Sequence, residues 1–243
     1  MSHHLLIAQD LSYDYPDGTS ALQKINFTIT HGQSVGIIGP NGAGKSTLIF
    51  CLNGYVLPTS GKVIVGETEL TKSTREEIRK RVGVVFPNPD DQLFMPTVRE
   101  DVAFGPANLS LSLEMVEKRV TEALTTMDSL VLAGKSPYHL SDGQKRSIAI
   151  ATVLAMQPDI LVMDEPTSNL DPFTRRKLIH FLKGFLHTKI IASHDLDLVW
   201  EVCDRVILLY QSKVIADGPT QEILKNEELL KKHRLELPLR LQK

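Results

Sequence analysis

The chain is poor in cysteine and carries no marked excess of charge of either sign. Its two cysteines, Cys51 and Cys203, lie far apart and outside any C-x-x-C pattern. This argues against a disulfide framework or a thiolate metal site and predicts buried thiols in a reducing compartment. Lysine and arginine together number 27 against 29 aspartates and glutamates, so no basic excess calls for a nucleic-acid partner.

Long hydrophobic runs are also missing. The longest, residues 148–156, is about half of the roughly 18 residues that a bilayer-spanning helix needs, and it contains Thr152. The first residues show no signal-peptide pattern. The eight histidines form no ligand-spaced cluster beyond the pair His3-His4, which is too little for a metal site. The sequence therefore predicts neither a membrane span nor a bound metal cargo.

Short apolar runs recur through the chain, and each is too short for a helix. They comprise residues 35–38, 82–86, 160–163 and 190–192. Because helix-forming segments separate them, we predict parallel strands that are buried on both faces of one sheet. Partial alternation before residue 35 predicts further β structure, and residues 206–216 predict a closing hairpin about Gln211-Ser212.

The stretch from about residue 91 to 156 differs, because it carries no strand signal. Apolar residues at 113–132 have helical spacing, and another helix is predicted from Ser141 to about Met156. The tail from Pro219 is predicted to be helical and then extended. We therefore expect one domain over 1–243, made of an α/β core (about 1–90 and 157–218), a helical insert (about 91–156) and a C-terminal tail (about 219–243).

The strand at 35–38 leads into a glycine-rich segment that fits the pattern G-x-x-x-x-G-K-[ST]. The segment reads Gly39-Pro40-Asn41-Gly42-Ala43-Gly44-Lys45-Ser46-Thr47. Its glycines let backbone N–H groups turn toward phosphate oxygens, and the following helix adds its positive end. Lys45 is expected to reach the β- and γ-phosphates of ATP, and Ser46 to hold Mg²⁺. A chance glycine-rich turn would not require a strand before it and a helix after it.

Two carboxylates end the apolar strand at 160–163. We expect Asp164 in the Mg²⁺ shell and Glu165 as the general base that polarises an attacking water. The alternative is a pair of surface acids at a strand end. It is less favoured in a chain that also contains a phosphate loop. His194 follows the strand at 190–192 and is placed to sense the γ-phosphate and the attacking water, although a lone histidine there is more often structural.

A third motif, Leu140-Ser141-Asp142-Gly143-Gln144, lies between the phosphate loop and the two carboxylates. Alone it is an ordinary capping box, in which the Ser141 oxygen accepts from a backbone N–H three residues on and Gln144 reaches back. Because it lies between the other two motifs in the sequence, it indicates which class of nucleotide-hydrolysing protein this is.

Together these motifs resemble the ATP-binding subunit of an ABC transporter over essentially the whole chain. The resemblance rests on the phosphate loop, the signature at 140–144, the Asp164-Glu165 pair, the loop at 168–171 and His194. It implies a P-loop NTPase (RecA-like) core with an N-terminal antiparallel β subdomain and an inserted α-helical subdomain. It also implies an ATP-hydrolysing enzyme that uses Mg²⁺ and works as a head-to-tail dimer.

In such a dimer each ATP lies between the phosphate loop of one subunit and the signature of the other. The resemblance implies that Ser141 and Gly143, with Gln144 of the same motif, meet the γ-phosphate in trans. It implies that Asp171 couples the two sites. Tyr15 lies where the family places an aromatic ring against adenine; the alternative is a half-buried strand residue.

Residues 88–106 are similar to the energy-coupling-factor group of importers. The segments at 194–198 and 228–238 are most similar to its cobalt and nickel members, although vitamin-importing members share much of the pattern. The resemblance implies a subunit at the cytoplasmic face of the membrane that drives integral membrane subunits through a groove near 87–94. The alternatives are a vitamin importer, a soluble non-transport ABC ATPase, and a nearly inactive regulatory subunit.

Two residues depart from the family pattern. Pro87 stands where the family has a glutamine that ligates Mg²⁺ and water, and proline offers neither a side-chain ligand nor a backbone N–H. Asp142 stands where the signature has glycine; it favours the helix by about 0.3–1 kcal/mol but opposes a phosphate at the same helix end. We hypothesise weaker coupling of hydrolysis and a weaker ATP-bound dimer. The alternative is that Glu165, His194 and a water suffice, and that solvent screens Asp142.

Overall fold

Ten strands and nine α-helices make up residues 4–242, the part of the chain that the computed structural model describes; His3 of the pair set aside above lies outside it. The strands are His4–Asp14 (β1), Ser20–Thr30 (β2), Ser34–Ile38 (β3), Ser60–Val65 (β4), Thr68–Glu69 (β5), Val82–Val85 (β6), Ile160–Asp164 (β7), Thr188–Ala192 (β8), Arg205–Tyr210 (β9) and Lys213–Pro219 (β10). The helices are Lys45–Leu52 (α1), Arg75–Arg81 (α2), Val98–Ala107 (α3), Leu113–Thr126 (α4), Asp142–Ala155 (α5), Pro172–Gly184 (α6), Leu196–Val202 (α7), Thr220–Lys225 (α8) and Glu227–Lys232 (α9). None of these helices is long and apolar enough to cross a membrane.

The larger sheet has six strands in the order β10-β9-β3-β8-β7-β6. All neighbours pair in parallel except β10, which returns antiparallel to β9. Gln211 and Ser212 make the turn between these two strands with φ of 46° and 65°, the left-handed backbone of a tight hairpin. The predicted parallel strands and closing hairpin are therefore confirmed.

The central strands β3, β7 and β8 are buried at every residue. Their side chains enter two different hydrophobic cores, because successive residues of a strand point to opposite faces. Leu161 joins the core that includes α5, α6 and α7, whereas Val162 joins the core that includes α1 and the second sheet. This two-sided burial explains why the runs are short and continuously apolar rather than alternating.

The second sheet has four antiparallel strands in the order β2-β1-β4-β5. It confirms the β structure predicted before residue 35, while the apolar pattern had not indicated β4 and β5. Together with the six-stranded sheet and the helices between its strands, it gives the fold that the motifs implied: a P-loop NTPase core with an N-terminal antiparallel β subdomain and inserted helices.

The stretch from 91 to 156 contains α3, α4 and α5 and no strand. Helix α5 begins after Ser141 as predicted, but the helix expected over 113–132 is wrong at its end. Helix α4 stops at Thr126, because Asp128 takes a left-handed φ of 52°, and Leu130–Leu132 form a separate 3-10 turn. The tail is helical through α8 and α9 and ends in a 3-10 turn at Leu239–Leu241.

Candidate active site

Three loops meet at one edge of the six-stranded sheet because β3, β7 and β8 are parallel and end there. Asp164 pairs with Ala192 across β7 and β8, and Ile37 pairs with the same Ala192 from β3. The residues that follow each strand are therefore neighbours, as expected at the carboxyl ends of a parallel sheet. We call residues 39–47, 164–165 and 193–194 together the phosphate-loop edge.

One pocket opens at this edge between the loop 39–47, the strand end at 164–165 and the start of β2. Its lining residues are Tyr15, Thr19, Ser20, Ala21, Asn41, Gly42, Ala43, Gly44, Lys45, Ser46, Thr47, Asp164 and Glu165. The sequence-predicted residues of the phosphate loop and of the β7 end are thus brought together. Gly39 and Pro40 do not line the pocket; their carbonyl oxygens accept hydrogen bonds from Lys45.

Two glycines allow the loop to bend so tightly. A Cβ on Gly44 would lie 2.5 Å from the Ala21 carbonyl oxygen, and the residue has a left-handed φ of 104°. A Cβ on Gly39 would lie 2.3 Å from the Leu209 carbonyl oxygen. Any side chain at either position would push the loop away from the strands behind it. Gly39 and Gly44 are therefore required by packing as well as by phosphate geometry.

Lys45 begins α1 and places its ammonium group inside the loop. Its Nζ donates to the carbonyl oxygens of Gly39 (2.8 Å) and Pro40 (3.2 Å). Burial lowers the pKa of Lys45, while the charges of Glu165 and Asp164 act in the opposite direction. A buried cation held by carbonyl oxygens, beside the N-terminus of a helix, is a binding position for an anion such as phosphate.

Asp164 ends β7 with its side chain 1% exposed. One of its oxygens, Oδ2, is buried and has no hydrogen-bond partner among the described residues. Burial raises the pKa of Asp164, and the Ser46 hydroxyl, as a hydrogen-bond donor, acts to lower it. A carboxylate with an unused oxygen beside a hydroxyl is the hard-oxygen donor set that Mg²⁺ prefers, so the residues present fit this ion.

Glu165 and His194 are in direct contact. The His194 Nδ1 lies 2.8 Å from the Glu165 carboxylate, and the Ser193 hydroxyl donates to the same carboxylate at 3.0 Å. The Glu165 backbone N–H donates to the Ala192 carbonyl (2.8 Å), and the residue has a left-handed φ of 47°. The carboxylate is thus fixed at the mouth of the pocket, with the exposed His194 ring beyond it.

Tyr15 follows β1 at the rim of the pocket. Its hydroxyl lies 2.9 Å from the Thr47 hydroxyl of the phosphate loop. Its ring meets the Tyr13 ring edge to face, with 5.1 Å between the ring centroids, and is 39% exposed. The geometry leaves a ring face open beside the phosphate loop, which suits stacking on a flat heterocycle.

The segment 140–144 does not line this pocket. We call it the signature-helix end, because α5 begins within it. The Ser141 N–H donates to the Gln144 Oε1 (3.1 Å), and the Gln144 N–H donates to the Ser141 hydroxyl (3.4 Å). The predicted capping box is confirmed. Ser141, Asp142 and Gln144 are exposed.

Gly143 packs against α6 of the same chain. A Cβ at this position would lie 2.8 Å from the Thr174 methyl group. Asp171, at the start of α6, accepts hydrogen bonds from the backbone N–H groups of Phe173 (3.0 Å) and Thr174 (3.1 Å). Hydrogen bonding from Thr174 lowers the pKa of the exposed Asp171. Asp171 therefore caps α6 and also lies away from the pocket.

Sequence reasoning missed an ion pair that lies beside His194, Asp195 with Arg175. Asp195 accepts two hydrogen bonds from the Arg175 guanidinium, both 2.9 Å, and one from the Thr167 hydroxyl at 3.1 Å. It also caps α7 by accepting from the Leu198 N–H. An aspartate directly before a helix was the available signal, but nothing in the sequence pointed to Arg175 as its partner.

A phosphate loop between a buried strand and a helix, with two acids at the end of a neighbouring strand, defines a P-loop nucleotide hydrolase. A family model described as ABC transporter matches residues 22–168. The chain therefore belongs to the ABC transporter family and is an ATP-binding, ATP-hydrolysing domain of the kind that powers transport.

Similar proteins cover nearly the whole chain. A protein of Geobacter sulfurreducens, named provisionally as an ABC transporter ATP-binding protein, is 56% identical over 242 residues, which are 100% of this chain and 97% of that protein. The energy-coupling factor transporter ATP-binding protein EcfA of Methanocaldococcus jannaschii is 46% identical over 97% of this chain and 86% of its own.

Two solved structures are similar in fold as well as in sequence. CbiO1 from Clostridium perfringens, described as part of the ABC transporter complex CbiONQ, matches with a TM-score of 0.84 and 38% identity over 95% of this chain and 94% of that one. A dimeric ATP-binding cassette bound to ADP and Pi in a post-hydrolysis state matches with a TM-score of 0.79 and 28% identity over 88% of this chain and 98% of that one.

Proposed function

We propose that this chain is the ATPase of an energy-coupling-factor importer that carries cobalt or nickel ions. The observation that carries the proposal is the likeness to CbiO1 over 95% of the chain, together with 46% identity to an EcfA protein. In this proposal the chain sits at the cytoplasmic face of the membrane and is joined there to integral membrane subunits. In this proposal those membrane subunits choose the substrate.

The phosphate-loop edge binds ATP in this proposal. The phosphates lie in the loop 39–47, where its backbone N–H groups, the N-terminus of α1 and Lys45 face them. Tyr15 stacks on adenine. Ser46 and Asp164 would hold Mg²⁺, and the ion would supply neutralisation of the phosphate charge. The support is the buried, unpartnered Asp164 oxygen beside Ser46 and the buried ammonium of Lys45.

Glu165 is the proposed general base. Its carboxylate polarises a water that attacks the γ-phosphorus in line, so that the bond to ADP breaks and inorganic phosphate leaves. His194 orients that water and the γ-phosphate, because its ring contacts the Glu165 carboxylate at 2.8 Å. Asp195 and Arg175 keep His194 in place through their paired hydrogen bonds.

A second copy of the chain, or a close relative, completes the site. The signature-helix end is exposed and does not line the pocket of its own chain, whereas a capped helix N-terminus is suited to receive a phosphate from another. In a head-to-tail dimer Ser141, Gly143 and Gln144 of one subunit face the γ-phosphate held by the other, and Asp171 lies at the junction. The similar dimeric cassette bound to ADP and Pi supports this arrangement.

The membrane partner is proposed to dock beside the loop that follows β6. Exposed aromatic side chains collect there: Phe94 is 56% exposed and stacks edge to face on Phe104, 5.0 Å between centroids, and Tyr55 is 58% exposed. Exposed aromatic residues of this kind are enriched in protein interfaces. An apolar helix of a membrane subunit is the occupant that this exposed aromatic surface suits.

The decisive experiment isolates the tagged chain from detergent-solubilised membranes, identifies its partners, and rebuilds the complex in liposomes. We expect ATP-dependent uptake of Co²⁺ or Ni²⁺ by the parent complex and none by the matched Glu165→Gln complex. Uptake of a vitamin instead would overturn the metal assignment alone. Recovery of the chain without any membrane subunit, or an ATPase rate at background, would overturn the transport function and favour a non-transport or regulatory ATPase.

A further inference from the structure

Arg146 lies on α5, one turn after the signature-helix end, and is 3% exposed. Its guanidinium donates to two consecutive carbonyl oxygens of the loop after β6: Phe86 at 2.7 Å and Pro87 at 2.5 Å. A buried guanidinium is costly unless its donors are used, and the planar fork suits two neighbouring acceptors. The residue therefore ties the loop after β6 to the signature helix.

Two further contacts tie the same loop to the same helix. The Gln92 Oε1 accepts from the Phe86 N–H (3.2 Å), while its Nε2 donates to the Ala149 carbonyl and the Thr152 hydroxyl. The Lys145 Nζ donates to Asp90 at 2.7 Å. The side chains of Arg146, Gln92 and Lys145 thus connect residues 86–92 to α5. We expect the loop and the helix to move together.

Arg146 is related to both residues that depart from the family pattern, because it binds the Pro87 carbonyl and shares α5 with Asp142. Pro87 lacks a side-chain ligand and an N–H, but it keeps the carbonyl that Arg146 binds. Asp142 lies four residues before Arg146 on the same helix, the spacing at which opposite charges attract. Burial lowers the pKa of Arg146, and the charge of Asp142 acts in the opposite direction.

We propose that Arg146 is a positioning residue that couples the loop after β6 to the signature-helix end, and that Asp142 acts on the ATP-bound dimer partly through Arg146. The inference rests on the proposed head-to-tail dimer. It differs from a purely repulsive role of Asp142, in which its carboxylate only opposes the γ-phosphate of the second subunit. In the coupled arrangement, removing Asp142 relieves repulsion but also loosens the guanidinium that holds the loop.

A double-mutant cycle separates the two roles. The Glu165→Gln chain serves as the parent, and the ATP concentration for half-dimerisation is measured by light scattering for Asp142→Gly, Arg146→Gln and the double variant. We expect Asp142→Gly to strengthen dimerisation at least about threefold more when Arg146 is replaced, because only the repulsion then remains. The same factor in both backgrounds would overturn the inference. Failure of the parent chain to dimerise with ATP, both alone and with a related ATPase that co-purifies with it, would instead overturn the proposed function.

Arg119→Gln is the matched control, because Arg119 also donates to a backbone carbonyl, that of Met156, at 3.4 Å, but away from the loop after β6. The effect of Asp142→Gly should be unchanged in that background. With Glu165 intact, Arg146→Gln should lower kcat about tenfold or more with little change in KM for ATP, since misplacing a positioned group slows the chemical step. Arg146→Lys keeps the charge and should recover part of kcat; no recovery, with an unchanged melting temperature in both variants, would count against positioning.

Discussion

The phosphate-loop edge and the signature-helix end differ in how complete each is within one chain. The first brings together three loops, buries Lys45 and Asp164, and fixes Glu165 by bonds to Ser193 and His194. The second is closed by its own capping box, does not line the pocket and leaves Ser141 exposed. Substitutions at the phosphate-loop edge should therefore alter ATP binding and turnover within one chain. Substitutions at the signature-helix end should alter the ATP-driven dimer.

The largest effect is expected at the phosphate-loop edge. Glu165→Gln removes the proposed general base and should lower ATP turnover by about 10²–10⁴-fold while ATP binding is retained. Lys45→Ala removes the buried ammonium and should abolish ATP binding itself. Phosphate release and equilibrium nucleotide binding, measured on the same preparations, separate the two outcomes.

Glu67→Gln is the matched control for that pair, because Glu67 is an exposed acid in the turn between β4 and β5. Its turnover should equal that of the unmodified chain. Retention of more than a tenth of the turnover by Glu165→Gln would mean that another group, with His194 the nearest candidate, acts as the base.

The second-largest effect is expected at Gly143, which belongs to the signature-helix end but also contacts α6 of its own chain. Gly143→Ala should lower the free energy of unfolding by about 1 kcal/mol, because the new methyl group would lie 2.8 Å from the stiff Thr174 side chain. In a Thr174→Ala background the same change should raise it by up to about 1 kcal/mol, since alanine favours the helix. Urea unfolding of the four chains provides the measurement.

If the sign does not reverse, the Thr174 contact does not account for the need for glycine at 143. ATP-driven dimerisation of the same four chains adds a second readout. A double variant that is stable but still fails to dimerise would show that glycine is also required by the partner's phosphate, which is the trans role assigned to this end.

A third effect concerns the tail, which belongs to neither region. Burial alone would raise the pKa of Glu201, but hydrogen bonds from Lys183 and Arg240 lower it from 4.5 to about 2. A lowered pKa in the folded state stabilises the protein above the unfolded value, and the contribution is lost as pH falls. The unmodified chain should therefore lose stability relative to Glu201→Gln between about pH 4.5 and 2, measured by thermal melting.

Nucleotide affinity at neutral pH should be the same in Glu201→Gln and the unmodified chain. Arg240→Ala should reproduce part of the acid behaviour, because Arg240 is one of the partners of Glu201, at 2.7 Å. An ATP affinity that changed with either variant would mean that the tail acts on the phosphate-loop edge, since Glu201 and Arg240 line the same cavity as His194.

The smallest effect is expected at Tyr15. Tyr15→Phe keeps the ring and loses only the contact of its hydroxyl with Thr47, so ATP affinity should weaken by about 0.5–1.5 kcal/mol at most. Tyr15→Ala also removes the ring and should weaken it by more. Equal affinities for the Phe and Ala variants in equilibrium dialysis would contradict stacking on adenine and leave Tyr15 as a half-buried residue at the end of a strand.

Much of the fold could be predicted because a strand that is buried on both faces of a sheet needs a short, continuous run of apolar residues. The strands at 35–38, 160–163 and 190–192 were found in this way, and the helix after Ser141 was found from its cap. Strands β4 and β5 were not, because only Val63 and Val65 of β4 are buried and β5 has two residues. The end of α4 could not be predicted, since the left-handed turn at Asp128 has no glycine to mark it.

The candidate site was predictable where one stretch of chain carries the chemistry, as at 39–47 and 164–165. It was not predictable where the contact joins distant segments. Arg146 with Pro87, and Arg175 with Asp195, are brought together only by packing between elements. Sequence spacing along one helix or one loop contains no information about such pairs.

The left-handed backbone of Glu165 has a consequence for how such chains diverge. A glutamate at φ 47° is held in a conformation that costs about 1 kcal/mol or more relative to glycine. The proposed general base thus makes its own strand end less stable. In a lineage released from the need to hydrolyse ATP, mutation to glycine at 165 would remove the reactive carboxylate and stabilise the fold in one step, so loss of activity would be favoured by folding itself.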